Sequence, residues 1–291
     1  MAIQTATTGN LETISNIVLA AVRYTAESAT PCQNLIEHFR LGKGDKQLTI
    51  PKAGAIDFDN LVDGVDIVSS KDLAITTTDL TTAEVGGKFI LTDKLVRQFN
   101  EDVFTMVGRL GGDAMARKKD KDIIALFPYL NASTTLGVAG MPLNLTQAVG
   151  CVAKAAASLY PEPISVVHYP NALSQLAKSA TAIGSTTFFA GILQGLSEEL
   201  LRRFWGIRIN GVNFFWDANI TVDSSEDGVG AIFSKSAMAI IESQDMNVER
   251  ERDASLRAWE VVTVADYGVF EIDDSYGAPM TYDCAALATT T

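Results

Sequence analysis

Residues 61–92 read LVDGVDIVSSKDLAITTTDLTTAEVGGKFILT and lead directly into residues 95–127, LVRQFNEDVFTMVGRLGGDAMARKKDKDIIALF. The first stretch is rich in Thr and Asp and has little to bury. Short β-type runs at Val65–Val68 and Leu73–Thr78 flank Ser69-Ser70-Lys71-Asp72, a pattern that predicts a two-stranded ribbon with a turn at Lys71. Thr suits a half-exposed pleat. Between Ile56 and Glu84 the acids Asp57, Asp59, Asp63, Asp66, Asp72, Asp79 and Glu84 face Lys71 alone, and such charge discourages stray edge pairing. Lys88–Leu91 reads as the returning strand after Gly86-Gly87. A coreless two-stranded ribbon is marginal in water. Its support, and that of the first ninety or so residues generally, is therefore expected on sibling copies of the chain.

The second stretch is helical. Thr92 is placed to cap it and Asp93 to favour its dipole. Leu95, Val96, Phe99, Val103, Met106, Val107, Leu110 and Ala114 recur at three- and four-residue steps, continuing through Ile123, Ile124 and Phe127 to a stop at Pro128. A continuous helix of this span would be about 50 Å long. Gly108, Gly111 and Gly112 inside it predict a bend or a close backbone contact near Gly111.

Working outward, the pattern predicts a helix from Asn10 to about Ala26, a helical piece at Leu35–Phe39, a turn at Gly42–Asp45 and a strand from Gln47 to Pro51. On the other side, Tyr129–Met141 reads as a connection. Then come a helix at Thr146–Leu159 capped by Thr146, a buried-type strand at Ile164–His168, and helices near Asn171–Lys178 and Gly191–Phe204. A hairpin follows at Ile207–Trp216 around Asn210-Gly211. Ala231–Phe233 is expected extended, with a short helix from Ser234 to Ile241. Strands are predicted at Val248–Arg252 and Leu256–Ile272, the latter broken near Asp266-Tyr267-Gly268. Alternating α and β elements predict a compact mixed α+β domain.

The chain has 291 residues and a formal net charge of −12, with 35 acids against 23 bases. That balance argues against a surface built to grip phosphate. Cys32, Cys151 and Cys284 form no CxxC and are expected as buried free thiols. No P-loop, G-x-S-x-G, H-E-x-x-H or dinucleotide fingerprint is present, so no catalytic, cofactor-binding or metal-ligating set is assigned and an enzyme is not expected. Asp57/Asp59 and Asp273/Asp274 read as solvated loop acids, and His38 and His168 as packed or hydrogen-bonded side chains. Arg117-Lys118-Lys119-Asp120-Lys121 reads as a solvated helix end, with an inward face toward DNA or a scaffold as the other option. Arg202-Arg203 and Glu249-Arg250-Glu251-Arg252-Asp253 read as intersubunit ion pairs. No leader, no membrane span and synthesis in a cytoplasm are expected.

The order of parts, together with Gly86-Gly87-Lys88-Phe89-Ile90-Leu91-Thr92-Asp93, Ala231-Ile232-Phe233, Ala237, Glu249–Arg252, Val261–Val264 and Tyr267-Gly268-Val269-Phe270, resembles the major capsid proteins of tailed bacteriophages, the Hong Kong 97-type fold. The resemblance implies an N-terminal arm (1–47), an extended loop (48–91), a peripheral domain (92–141 and 233–291) and an axial domain (142–232). It implies a virion protein assembling into pentamers and hexamers around double-stranded DNA, which it contacts weakly and without sequence specificity. The implied partners are a separate scaffolding protein, a portal and a decoration protein, with assembly in the bacterial host cytoplasm and no membrane. In some relatives a loop Lys is crosslinked, and Lys71 is the position to inspect. An encapsulin-like nanocompartment shell keeps the same fold; a soluble α/β hydrolase or ligand-binding protein on Pro142–Asn219 would need a cluster of acids and His that the sequence does not offer.

Overall fold

A computed structural model describes residues 31–183 and 207–287, apart from 55, 57, 59, 61–62, 65, 67–69, 99–102 and 132–133. The helices expected at 10–26 and 191–204, the Arg202-Arg203 pair, the Asp57/Asp59 pair and most of the run at Val65–Val68 lie outside these residues.

Three sheets organise the chain. In the first, β1 (Glu37–Arg40), β10 (Met238–Asp253), β11 (Ala258–Glu271) and β4 (Ala83–Thr92) lie side by side in that order. β1 runs parallel to β10, and the other two pairings are antiparallel. The second has the order β5 (Leu136–Pro142), β12 (Gly277–Asp283), β9 (Asp227–Ser234), β6 (Ile164–His168), β8 (Val212–Trp216) and β7 (Ile207–Ile209). The third is the ribbon, β2 (Gln47–Ala53) against β3 (Ile75–Thr81).

The helices are α1 (Asp93–Gln98), α2 (Val103–Ile124), α3 (Leu145–Ala157) and α4 (Pro170–Ile183). Thr92 does cap: its Oγ1 accepts from Leu95 N at 3.3 Å. The stretch expected as one helix of about 50 Å carries α1 and α2, with residues 99–102 between them outside the described residues. α2 has 22 residues, about 33 Å at 1.5 Å per residue, and ends at Ile124, before a 3-10 turn at Phe127–Tyr129. Its buried face is Val107, Gly111, Met115, Lys119, Asp120 and Ile123, while Ala114 is exposed. Gly111 is the expected close contact: a Cβ there would sit 2.8 Å from Thr263 Cγ2.

Elsewhere the local signals were outcompeted. The piece at Leu35–Phe39 is a 3-10 turn over Cys32–Leu35 followed by β1, because Glu37–Arg40 pairs with Ala239–Glu242. Tyr129–Met141 contains β5, which pairs with β12. α3 starts one residue before Thr146, capped instead by Asn144 in a reciprocal box with Gln147. Ser234 caps only the turn Lys235–Ala237; β10 then runs 16 residues where a helix to Ile241 was expected. β11 is continuous through Asp266–Gly268, and the irregularities sit in β10 between Glu242 and Asn247. The hairpin at Asn210-Gly211 forms with φ of 48° and 86°, both in the left-handed region its turn requires.

Two main cores result. One face of the six-stranded sheet packs α3 and α4 through Val152, Leu176, Phe214, Ile232, Met280 and Tyr282. The opposite face, with Val167, Ala231 and Phe233, joins Met115, Ile123 and Phe127 of the spine and Met238, Ile240 and Tyr267 of the first sheet. Cys32 and Ile36 are fully buried in that second core. The segment just before the ribbon therefore folds onto its own chain, contrary to the expectation that it leans on a sibling.

Candidate functional site

The ribbon is the feature with the least support of its own, and its true strands differ from those expected. β3 pairs with Gln47–Ala53, in a register running from Gln47 opposite Thr81 to Ala53 opposite Ile75. Residues 54–74 form the excursion between them, closed at its base by Gly54 N donating to Ala74 O at 3.0 Å. The excursion carries apolar side chains into solvent: Phe58 is 93% exposed, Leu73 52% and Ile56 38%. Single exposed apolar residues are ordinary, but a Phe this bare finds no cover among the described residues. Lys71 lies on this exposed excursion.

The root is anchored. Leu80 is fully buried with Leu41 and Ile241, against Phe39, Leu48, Ile50 and Phe270. Thr82 Oγ1 donates to Asp266 Oδ2 at 2.9 Å. Lys52 Nζ reaches Asp273 Oδ1 at 2.5 Å. At Gly268 a Cβ would lie 2.1 Å from the Thr81 carbonyl oxygen, so the ribbon backbone rests directly on β11. Gly86-Gly87 likewise are not a turn. They lie inside β4, and a Cβ on Gly86 would meet the Thr263 carbonyl at 2.6 Å.

The charged clusters separate into individual contacts. Lys118 pairs with Asp122 one helical turn on. Lys119 is turned inward, ion-paired with Glu242 at 2.6 Å and lying over the Tyr267 ring at 5.3 Å. Asp120 is fully buried. The five residues thus do not act as one solvated or DNA-facing patch. In the Glu249–Asp253 run, Arg252 bonds Asp93 at 2.8 Å and covers Trp259, and Arg250 covers Phe104. These two arginines thus have partners within their own subunit.

Asp273, read as solvated, is buried and accepts from Ser275 N at 3.0 Å. Burial pushes its carboxyl up, but Lys52 and Ser275 outweigh it and the net shift is down. Glu271 nearby is pushed up to about 7 by burial and by Asp274. His168 is fully buried; burial lowers it to about 4, and its Nε2 faces Met280 O at 3.2 Å, so it is a neutral packing residue. His38 is exposed, with Nε2 2.5 Å from Gln33 O. All three cysteines are buried and free.

One cluster had no signal in the sequence. Cys32, Asp120 and Asp217, from three separate segments, bring sulfur and carboxylate oxygens within 4.8 Å of one another. Cys32 N donates to Asp120 Oδ1 (3.2 Å), and Asn219 Nδ2 donates to Asp120 Oδ2 (3.0 Å). Asn219 N donates to Asp217 Oδ1 (2.8 Å), and the Cys32 thiol to Asp217 Oδ2 (3.5 Å). The two carboxyl groups lie side by side in this cluster, and burial together with the neighbouring Asp120 pushes Asp217 up.

With this architecture in place, solved structures give a consistent comparison. The chain superposes on a protein of Mycobacterium phage Che8 with a TM-score of 0.68 and 17% identity, over 91% of this chain and 95% of that one. The capsid of a native GTA particle gives 0.69 and 12% over 92% and 94%. The capsid of Myoviridae phage XM1 gives 0.67 and 15% over 96% and 99%. The fold is the Hong Kong 97-type capsid fold. No protein-family model and no curated protein matches the sequence, so the likeness is one of architecture at low identity. Within the capsid fold the long helix, the four-stranded sheet and the projecting ribbon are one connected unit, since β4 leaves the ribbon and enters α1 directly. Among the described residues no helix is long and apolar enough to cross a membrane.

Proposed function

We propose that this chain is a major capsid subunit, a non-enzymatic structural protein that self-assembles into an icosahedral shell of pentamers and hexamers enclosing double-stranded DNA. The observation that carries the reading is the end-to-end likeness to solved phage capsid structures, with more than nine-tenths of both chains matched. The exposed ribbon excursion supports it, because Phe58, Leu73 and Ile56 gain burial only against another molecule. A standard contact buries about 800 Å² on each partner, and a closed lattice lets many moderate contacts reinforce one another.

In this reading residues 1–47 are the arm, 48–91 the loop, 92–141 with 233–291 the peripheral domain, and 142–232 the axial domain meeting its copies at five- and six-fold axes. The pairing of β12 with β9 ties the last two together. A separate scaffolding protein, a portal and a decoration protein complete the particle, assembled in the host cytoplasm. The net charge of −12 leaves packaged DNA weakly held and free to slide. Negative-stain microscopy and light scattering of the purified chain test the proposal. Capsomers, tubes or closed shells are expected; a monodisperse monomer at high concentration, with and without a scaffolding partner, refutes it.

A further inference from the structure

The Cys32–Asp120–Asp217 cluster joins the arm root, the spine helix and the end of β8. Its three acidic side chains are 0%, 0% and 1% exposed. Ionised carboxylates without a partner are not tolerated at such depth. Among the described residues the donors to the two carboxyls are backbone N–H groups, the Asn219 amide and the Cys32 thiol, none of them cationic. The leading influences on Asp217 are burial and Asp120, and those on Cys32 are burial, Asp120 and Asp217. On the spine helix, Lys119 is committed to Glu242 of β10, and Asp122 accepts from the Tyr267 hydroxyl of β11 and from Lys118. On β6, His168 offers only its backbone carbonyl, which accepts from Asp217 N at 3.0 Å, while its neutral ring points to Met280.

We propose that Asp120 and Asp217 form a proton-operated latch: sharing one proton they clamp the arm root to the spine helix and the six-stranded sheet, and losing it they repel and release the Cys32 turn. Cys32 N, Asn219 Nδ2, Asn219 N and the Cys32 thiol each donate to one of the four carboxyl oxygens, which holds the two acids side by side, where one proton relieves their mutual repulsion. Burial, then the neighbouring Asp120, raises Asp217 from 3.8 to about 8. A carboxyl raised in the folded state contributes stability that is whole below its unfolded value, declines with rising pH and is gone above the folded value. The window is thus pH 4 to about 8, and opening of the turn begins at its upper end. The latch belongs to the subunit and stands whether or not the chain builds a shell.

Denaturation of the full chain at pH 6 to 9, wild type against Asp217→Asn, tests this. One linked proton changes the folding constant by about tenfold per pH unit. The wild type should therefore lose about that factor per unit, relative to the variant, up to pH 8 and then level off. The slope from Glu271, raised to about 7, is common to both proteins and cancels. In the wild type alone, alkylation of Cys32 should accelerate above pH 8 relative to Cys151, a second buried thiol with raised pKa, read by mass spectrometry. This readout decides the matter should Asp217→Asn fail to fold. Equal pH dependence of the two proteins, or a constant Cys32-to-Cys151 labelling ratio, overturns the latch. So does stabilisation of the wild type by zinc ion at pH 9, which would make the cluster a cation seat.

Discussion

Replacing Leu80 by Ala separates the anchored root of the ribbon from its bare excursion. Leu80 is fully buried among Leu41, Ile241, Phe39, Leu48, Ile50 and Phe270, all from its own chain. Leu-to-Ala truncations in cores cost about 2–5 kcal/mol. This cluster is small and bounded by partly exposed side chains that can settle inward, so the lower part of that range applies, about 2–3 kcal/mol. For a chain of this size that corresponds to a fall in Tm of roughly 3–5 °C. Phe58→Ser is the matched control. At 93% exposed it should change subunit stability by less than about 0.5 kcal/mol, yet impair shell closure. Thermal melts of unassembled subunits by circular dichroism, paired with light scattering of the assembly reaction, read both quantities. If Leu80→Ala melts with the wild type and loses only assembly, the root is supported by a neighbour and the reasoning fails.

Gly268→Ala places a methyl 2.1 Å from the Thr81 carbonyl oxygen; displacing the ribbon backbone should cost about 1–3 kcal/mol, measured by urea unfolding. Val107→Asp puts an unpaired charge at a 4% exposed site beside Leu91, Leu95 and Val261, and loss of soluble folded protein is expected; normal solubility and melting would mean the helix face is wrongly assigned. Replacing residues 56–72 by a short Gly-Ser link should leave a subunit with wild-type melting that does not close shells, because the strands remain paired and Leu80 stays in place. A longer excision running through Thr82 should instead destabilise the subunit itself, and equal melting of the two deletions would contradict the anchored root. Arg252→Ala, at a half-exposed pair with Asp93, should change stability by no more than about 1 kcal/mol.

The elements legible in the sequence were those whose cause is local. The Thr92 cap, the Asn210-Gly211 turn, the buried strand Ile164–His168 and the helix over Asn171–Lys178 each rest on residues within a few positions. What could not be read was set by distant partners. Gln47–Ala53 and Ile75–Thr81 pair across 21 intervening residues, a partnership no local turn signal announces. Met238–Ile241 is a short apolar run equally compatible with helix or strand, and its pairing with β1 and β11 decides for strand. Lys119 and Asp120 read as solvated charges because Glu242, Cys32 and Asn219, which hold them, lie 88 to 123 residues away. Gly86 and Gly268 look like breaks in the sequence but are places where one backbone lies against another.

Thr81 sits on Gly268, Leu80 is buried, and Lys52, one residue from the far end of β2, is tied to Asp273, so both strands of the ribbon are mounted along their length on the body. Any shift of β11 or of the Asp273 turn is therefore handed on to the point where the chain leaves Ala53 and returns at Ile75. In a shell, that coupling would let the state of the subunit body set the direction in which its loop reaches out.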